Sequence, residues 1–183
     1  MQVHKPLVLF LAKALLLYIA WNVVYYQWLV PNTSLEPKMT EGIASLTEGM
    51  LQICGFPTRV ISTYNSEGLF QHSQVVVNNT PSILIGSPCN GLALMVLFAG
   101  FIVAYPGNWK WKIGYIVAGC FAIYIINLIR IQILVWNYIY SKESFDFNHK
   151  YTYTIIVYLF IFFLWLLWTN RFSTGKSFTN ATV

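Results

Sequence analysis

Long runs of apolar residues dominate this chain and leave it few ways to fold. Only 9% of its 183 residues are charged, whereas 57% are hydrophobic. Soluble domains carry about 25% charged residues, which cover their surface. A helix satisfies every backbone polar group without help from water, so apolar runs of this length fold as membrane helices. The composition therefore predicts an all-α integral membrane protein.

Four of these runs are long enough to cross, or nearly cross, the roughly 30 Å of lipid hydrocarbon. The predicted transmembrane helices cover residues 7–30, 89–105, 113–140 and 150–168. Lys and Arg residues gather near the start of the first helix, just after the last helix, and in the loop between the second and third helices. The positive-inside rule then places both termini of this multi-pass protein in the cytoplasm. Residues 171–183 are expected to form a flexible cytoplasmic tail.

The long interlude between the first two helices, residues 31–88, is expected to lie outside the cell membrane. Apolar residues recur in it at helical spacing, which predicts an amphipathic helix; they are Met39, Ile43, Leu46, Met50 and Ile53. Two β-rich stretches follow at 58–63 and 69–77, with turn residues between them, and they predict a small hairpin. This insertion is a candidate for recognition of a substrate or an acceptor.

Three reactive side chains fall near one face of the predicted membrane bundle. Cys89 opens the second helix, Arg130 lies inside the third, and His149 opens the fourth. Because the second helix enters from outside, the third returns there and the fourth leaves from there, all three approach the outer face. Thiol, guanidinium and imidazole groups that meet in one place suit cysteine-based acyl transfer.

Cys89 follows a proline, within Ser87-Pro88-Cys89-Asn90-Gly91. Proline is favoured at the first position of a helix. A thiol on the first helical turn would feel the positive end of the helix dipole, which stabilises its thiolate form. Cys120, in the middle of its helix, is expected only to pack.

Arg130 is costly where it stands, since a guanidinium inside an apolar helix costs roughly 3 kcal/mol on insertion scales. It shares a helical face with Tyr124, Asn127 and Asn137. Such a polar stripe is expected to face the interior of the bundle, because lipid offers no hydrogen bonds. Arg130 would donate hydrogen bonds to the oxyanion that forms when a thiolate attacks a carbonyl. His149, which can gain or lose a proton near neutral pH, would act as the acid and base.

The same residues carry a resemblance to a known family. The segment Pro88-Cys89-Asn90-Gly91-Leu92 resembles the Cys-(Ser or Asn)-Gly motif of the exosortase/archaeosortase family, and Asn127-Leu128-Ile129-Arg130 resembles its Asn-x-x-Arg motif. His149 matches the final catalytic position, and the resemblance covers about residues 86–165.

The resemblance implies a multi-pass cysteine transpeptidase or protease that cleaves C-terminal sorting signals, each a short motif, a membrane helix and a basic tail. It implies transfer of the cleaved protein to a lipid or glycan acceptor of the cell envelope. By carry-over, Cys89 is the nucleophile, Arg130 the transition-state stabiliser and His149 the acid and base, with Asn90 and Asn127 in support. The chain has fewer spans than the longer members, as in a compact catalytic core.

Two other functions remain open from the sequence. Cys54 and Cys89 both lie outside in this topology and could be the redox pair of a quinone-linked disulfide oxidoreductase, although the chain has no CxxC motif. Alternatively, Arg130 could be a partner contact in a non-catalytic membrane assembly subunit. Neither the three cysteines nor the three histidines have the spacing of metal ligands. No metal, cofactor or nucleic-acid partner is expected.

Overall fold

The computed structural model describes residues 4–172, and their side chains from Val8 onward except that of Ser144. This part of the chain is mostly helical, as the sequence predicts. Its helices are α1 (His4–Val24), α2 (Val30–Asn32), α3 (Leu35–Ile53), α4 (Leu92–Ala104), α5 (Trp109–Tyr140), α6 (Lys142–Phe147) and α7 (Tyr153–Leu167). Single π-helical turns at Tyr25–Leu29, Asn148–Thr152 and Trp168–Phe172 continue the helices beside them. Of the expected tail at 171–183, all but the first two residues lie outside the described residues.

Three helical stretches are long and apolar enough to cross a membrane: Val8–Asn32, Trp109–Tyr140 and Phe145–Phe172. The predicted second span, 89–105, is shorter than expected. Only its 13 residues Leu92–Ala104 form an α-helix, about 20 Å long at 1.5 Å per residue. A short 3₁₀ turn and a left-handed Gly91 occupy the residues before it. The chain is therefore a membrane protein with three full-length candidate spans and one short apolar helix.

The last span begins earlier than the predicted 150–168. Residues expected to form a loop before it are helical, so the apolar stretch runs from Phe145 to Phe172 and includes His149. Aromatic side chains four residues apart contact each other along this helix: the Phe145 ring stacks on His149 with centroids 5.7 Å apart, and the Phe147 ring is tilted by 43° to that of Tyr151, with centroids 5.4 Å apart. Such i, i+4 contacts favour the helix over a loop.

The insertion holds a three-stranded antiparallel sheet rather than a hairpin, so the all-α class and the hairpin both need correction. Its strands, in the order β1-β2-β3, are β1 (Thr58–Tyr64), β2 (Phe70–Val77) and β3 (Thr80–Gly86). Asn78 and Asn79 adopt φ angles of 51° and 62° in the tight turn before β3, a conformation that asparagine tolerates. Pro81 made β3 hard to predict, because proline lacks the N–H that a strand residue usually donates and so argues against a strand.

Helix α3 exists as predicted, but its buried face is a different one. Ile43 is buried, whereas Leu46, Met50 and Ile53 of the predicted apolar stripe are exposed. The face that packs on α5 and the sheet consists mainly of small and polar residues: Glu36, Thr40, Ile43, Ala44, Thr47 and Leu51. Small side chains let helices approach closely enough for direct hydrogen bonds, as where Gln132 Nε2 donates to the carbonyl of Thr47 at 3.1 Å.

Contacts at one end of the bundle fix the directions of the helices. The Phe10 ring near the start of α1 lies 5.5 Å from that of Phe101 near the end of α4. Lys112, in the first turn of α5, donates to the Val103 carbonyl of α4 at 2.9 Å. Helix α4 therefore runs antiparallel to α1 and α5. The opposite end, where α4 begins, carries the sheet and α3.

Candidate active site

Cys89 lies on the connection between β3 and α4. The chain leaves the sheet through the 3₁₀ turn Ser87–Cys89, passes Gly91 in a left-handed conformation with φ of 79°, and enters α4 at Leu92. Cys89 is thus three residues ahead of the helix and not on its first turn, as the sequence had suggested.

Asn127 holds this connection from the side of α5. Its Nδ2 atom donates to the carbonyl of Cys89 at 2.7 Å, and the side chain is fully buried. Gly91 passes so close that a Cβ atom added there would lie 3.4 Å from Asn127 Nδ2. A side chain at Gly91 would be strained by its positive φ as well. The two residues together fix the backbone on either side of Asn90.

Asn90 ties the same connection to two helices. Its Oδ1 accepts from the N–H of Leu92 at 2.9 Å, which satisfies one free donor at the start of α4. Its Nδ2 donates to Thr40 Oγ1 of α3 at 3.4 Å. The side chain is 1% exposed. Both residues expected to support the site, Asn90 and Asn127, therefore contact the segment that carries the thiol.

A cavity of about 270 Å³ opens beside Cys89. It lies between β3, the second half of α5 and the start of the last span. Its lining residues are Ser82, Ile83, Leu84, Cys89, Ile131, Leu134, Phe145 and His149. Cys89 and His149, which are 60 positions apart in the sequence, thus line one space.

His149 lies on the π-helical turn Asn148–Thr152. Such turns are frequent at functional sites, because the extra residue redirects side chains that a regular helix would align. The imidazole stacks on the Phe145 ring at an interplanar angle of 3°. Phe145 in turn meets the edge of Tyr138 at 5.4 Å. This chain of rings orients His149 at the wall of the cavity.

Arg130 lies near the cavity without lining it. Its guanidinium is close enough to His149 for the two groups to interact electrostatically. The Nε atom is buried and has no hydrogen-bond partner within the described part of the chain. Buried polar atoms are rarely left unpaired in native proteins. Arg130 therefore has a donor free for an acceptor that enters from outside the protein.

Two contributions to the site were missed in the sequence analysis, which predicted no helix over residues 141–149 and no third strand. Phe145 was assigned to a loop, although an aromatic residue four positions before His149 is a signal for stacking on a helix. The wall that Ser82, Ile83 and Leu84 form belongs to the strand that was missed, and no local motif marks it.

A family model described as transmembrane exosortase matches residues 5–169, nearly the whole chain. The chain belongs to the transmembrane exosortase family. The match covers α1, the insertion and the segments with Cys89, Arg130 and His149. No curated protein and no solved structure matches this exosortase.

The hydrogen bond from Asn127 allows a first prediction for this exosortase. Asn127→Ala leaves the partly buried Cys89 carbonyl without its donor, which costs about 1 kcal/mol, and lets the connection shift. We expect Cys89-dependent substrate processing to fall about 10- to 100-fold. Asn22→Ala is the control, since Asn22 also lies in a span but bonds only to its own helix, at Tyr18. Equal processing by both variants would show that Asn127 does not position Cys89.

Proposed function

We propose that this chain is a membrane-embedded cysteine transpeptidase or peptidase that cleaves the C-terminal sorting signals of envelope-targeted proteins. Membership of the exosortase family supports a role in protein sorting. The observation that carries the proposal is the shared cavity, which Cys89 and His149 line together. A thiol and an imidazole that face one space are the minimum set for nucleophilic acyl transfer.

In the proposed reaction the Cys89 thiolate attacks the carbonyl carbon of the scissile peptide bond. The tetrahedral intermediate collapses, the C–N bond breaks, and the imidazolium of His149 gives its proton to the leaving amine. A thioester to Cys89 remains. An acceptor amine or hydroxyl, or water, then loses a proton to His149 and attacks the thioester, which releases the Cys89 thiolate and regenerates the imidazolium. Amine and hydroxyl acceptors give transfer, and water gives hydrolysis.

Arg130 is proposed to stabilise the negative oxygen of both tetrahedral intermediates. Its unpartnered buried Nε supports this role, because a donor without a partner inside the protein is available to a developing negative charge. Its electrostatic interaction with His149, the proposed proton carrier, supports the same role. Arg130 does not line the cavity, so the role requires the guanidinium to turn toward bound substrate.

We propose four membrane crossings with both termini in the cytoplasm of a prokaryotic cell. The short helix α4 supports this topology, because its end lies beside the starts of α1 and α5 and its beginning lies beside Asn127. It therefore runs from one end of the bundle to about the middle of α5, and the connection that carries Cys89 continues from there toward the sheet. The cavity then opens on the outer side of the inner membrane, where envelope proteins and a lipid or glycan acceptor meet.

The rival disulfide chemistry needs Cys54 near Cys89. Both thiols are free, and Cys54 is exposed. Thr40 of α3 is bonded to Asn90 beside Cys89, and Cys54 follows fourteen residues later, about 21 Å along the helix axis. The geometry therefore favours acyl transfer.

A chain in which Cys89 is the only cysteine tests the proposal against this rival. The double variant Cys54→Ala with Cys120→Ala is co-expressed with membrane-anchored proteins from the same genome that end in a short motif, a helix and basic residues. Their sizes are followed by immunoblot and mass spectrometry. We expect processing within about two-fold of the wild type, since acyl transfer needs one thiol. Loss of processing in a well-folded variant would favour redox chemistry.

A further inference from the structure

A free edge of the sheet borders the cavity. Within residues 4–172, the strand order β1-β2-β3 leaves the far side of β3 without a neighbouring strand. Three consecutive residues of β3, Ser82, Ile83 and Leu84, line the cavity. Successive side chains of a strand point to opposite faces of the sheet. A space that touches three residues in a row therefore lies along the edge of the strand and not over one face.

One hydrogen bond between β1 and β2 fixes which backbone groups point to this edge. The N–H of Asn78 donates to the carbonyl of Pro57 at 2.8 Å, directly beyond the pair Thr58 and Val77. Residues of an antiparallel strand alternate between bonding one neighbour and bonding the other. The even-numbered residues of β2 therefore bond to β1, and the odd-numbered residues bond to β3.

This alternation turns the backbone of Leu84 toward the cavity. The odd-numbered Val75 and Ser73 of β2 lie opposite Ile83 and Ile85 of β3, so these pairs carry the hydrogen bonds between the two strands. Leu84, between them, directs its N–H and its carbonyl to the open side. Within the described part of the chain, no hydrogen bond outside the sheet involves these two groups. The N–H and the carbonyl of Leu84 are thus available for hydrogen bonds at the wall of the cavity that Cys89 also lines.

We propose that an extended peptide segment of the substrate adds to β3 at Leu84 as a fourth strand and so brings its scissile carbonyl to Cys89. The inference rests on the proposed function and names how its substrate is held. Strand addition to an exposed sheet edge takes its affinity from main-chain hydrogen bonds, so it accepts varied sequences. The residue of the substrate opposite Leu84 gives its N–H to the Leu84 carbonyl and accepts the N–H of Leu84.

Two features of the edge support an extended peptide as the occupant. Pro81 has no N–H and its nitrogen lies on the open side, which limits pairing to the part of β3 nearest the cavity. The opposite wall is apolar, with Ile131 and Leu134 of α5. A peptide between the two walls would meet backbone partners along one edge and aliphatic side chains along the other.

Alkylation of Cys89 by peptide electrophiles tests the proposal without knowledge of the natural substrate. The full-length protein with Cys54→Ala and Cys120→Ala is treated in detergent with acetyl-tetra-alanine chloromethyl ketone or with acetyl-alanine chloromethyl ketone. Mass spectrometry gives the rate at which each reagent alkylates Cys89. We expect the longer reagent to react about ten-fold faster, because it gains the main-chain hydrogen bonds of strand addition.

Two variants separate the backbone of Leu84 from its side chain. Leu84→Pro removes the N–H at the open edge and is expected to abolish the ten-fold advantage, whereas Leu84→Ala keeps the N–H and should keep the advantage. Strand addition would be overturned if the two reagents alkylated Cys89 at equal rates in the protein with native Leu84. It would also be overturned if the longer reagent stayed ten-fold faster in Leu84→Pro. The short reagent reports whether the cavity in each variant is intact.

If Leu84→Pro also slows the short reagent, the cavity of that variant is damaged and a different comparison is needed. The Cys54→Ala, Cys120→Ala protein is then treated with a tetra-N-methyl-alanine chloromethyl ketone. That reagent has no N–H groups, so the inference requires that it lose the advantage, and a retained advantage contradicts it. These alkylations need no turnover. If the longer reagent is ten-fold faster but sorting signals are not processed, the proposed function is wrong and strand addition at Leu84 still holds. If sorting signals are processed but the two reagents react equally fast, only strand addition is wrong.

Discussion

Replacing Cys89 with alanine is expected to abolish processing of the co-expressed sorting-signal proteins, with a fall of at least about a thousand-fold. The variant has no atom that can form the thioester, and water alone attacks a peptide carbonyl far more slowly. The half-buried thiol has no hydrogen bond to any other described residue, so the protein should accumulate and resist heat as the wild type does. Immunoblots and mass spectra of the substrate in both strains measure the effect.

Cys120→Ala is the matched control for this experiment. Cys120 is also a partly buried cysteine, but it packs within α5 among apolar residues far along the bundle from the cavity. It should process substrate at nearly the rate of the wild type. If Cys89→Ala processed as well as Cys120→Ala, Cys89 would not be the nucleophile, and a non-catalytic assembly subunit would become the better account of the chain.

Replacing Arg130 with glutamine is expected to slow processing about 100- to 1,000-fold, the usual cost of removing an oxyanion donor. Because the Nε atom has no partner in the described part of the chain, the change leaves no buried acceptor unpaired. Removal of a charge from an apolar helix also favours membrane insertion. The loss should therefore appear in the turnover rate, with the amount and the thermal stability of the protein unchanged or higher.

Arg130→Lys separates charge from geometry. Lysine keeps the positive charge but lacks the planar fork of donors, so we expect it to recover only part of the lost rate. Full activity of Arg130→Gln would exclude the oxyanion role. A stable wild-type complex that falls apart on Arg130→Gln, with no effect of Cys89→Ala, would instead identify Arg130 as a contact with a partner subunit.

Much of the helical architecture could be predicted because it depends on local pattern. Apolar runs and scattered charge give membrane helices whatever their neighbours. The limits of those helices depend on backbone geometry that composition does not record. Gly91 delays α4 to Leu92 through its left-handed conformation, and Phe145 extends the last span by stacking on His149.

The insertion was harder to predict because long-range packing decides it. The exposed stripe of α3 is the more hydrophobic one, but the face with Thr40, Ala44 and Thr47 packs closest to its neighbours. Strand β3 carries a proline that is tolerated only because its nitrogen lies on the open edge. That strand forms one wall of the cavity. Because it was not predicted, its open edge at Leu84, where the substrate is proposed to bind, could not be predicted either.

Order along the chain and helix direction predicted that Cys89 and His149 approach each other, and they line one cavity. The same reasoning placed Arg130 on a face with Asn127, but their partners could not be read from the sequence. Asn127 bonds to the Cys89 carbonyl, 38 residues away, whereas Arg130 keeps a free donor. Both outcomes depend on side-chain packing that no short motif specifies. The catalytic roles of the three residues stay predictions.

Capture of the covalent intermediate tests the central claim most directly. The full-length protein is co-expressed with a processed substrate, quenched in acid and digested, and the peptide that contains Cys89 is examined by mass spectrometry. The account predicts a thioester between Cys89 and the new C-terminus of the substrate, which hydroxylamine releases as a hydroxamate. A substrate that is cleaved while Cys89 stays unmodified, or that is attached to another residue, would contradict it.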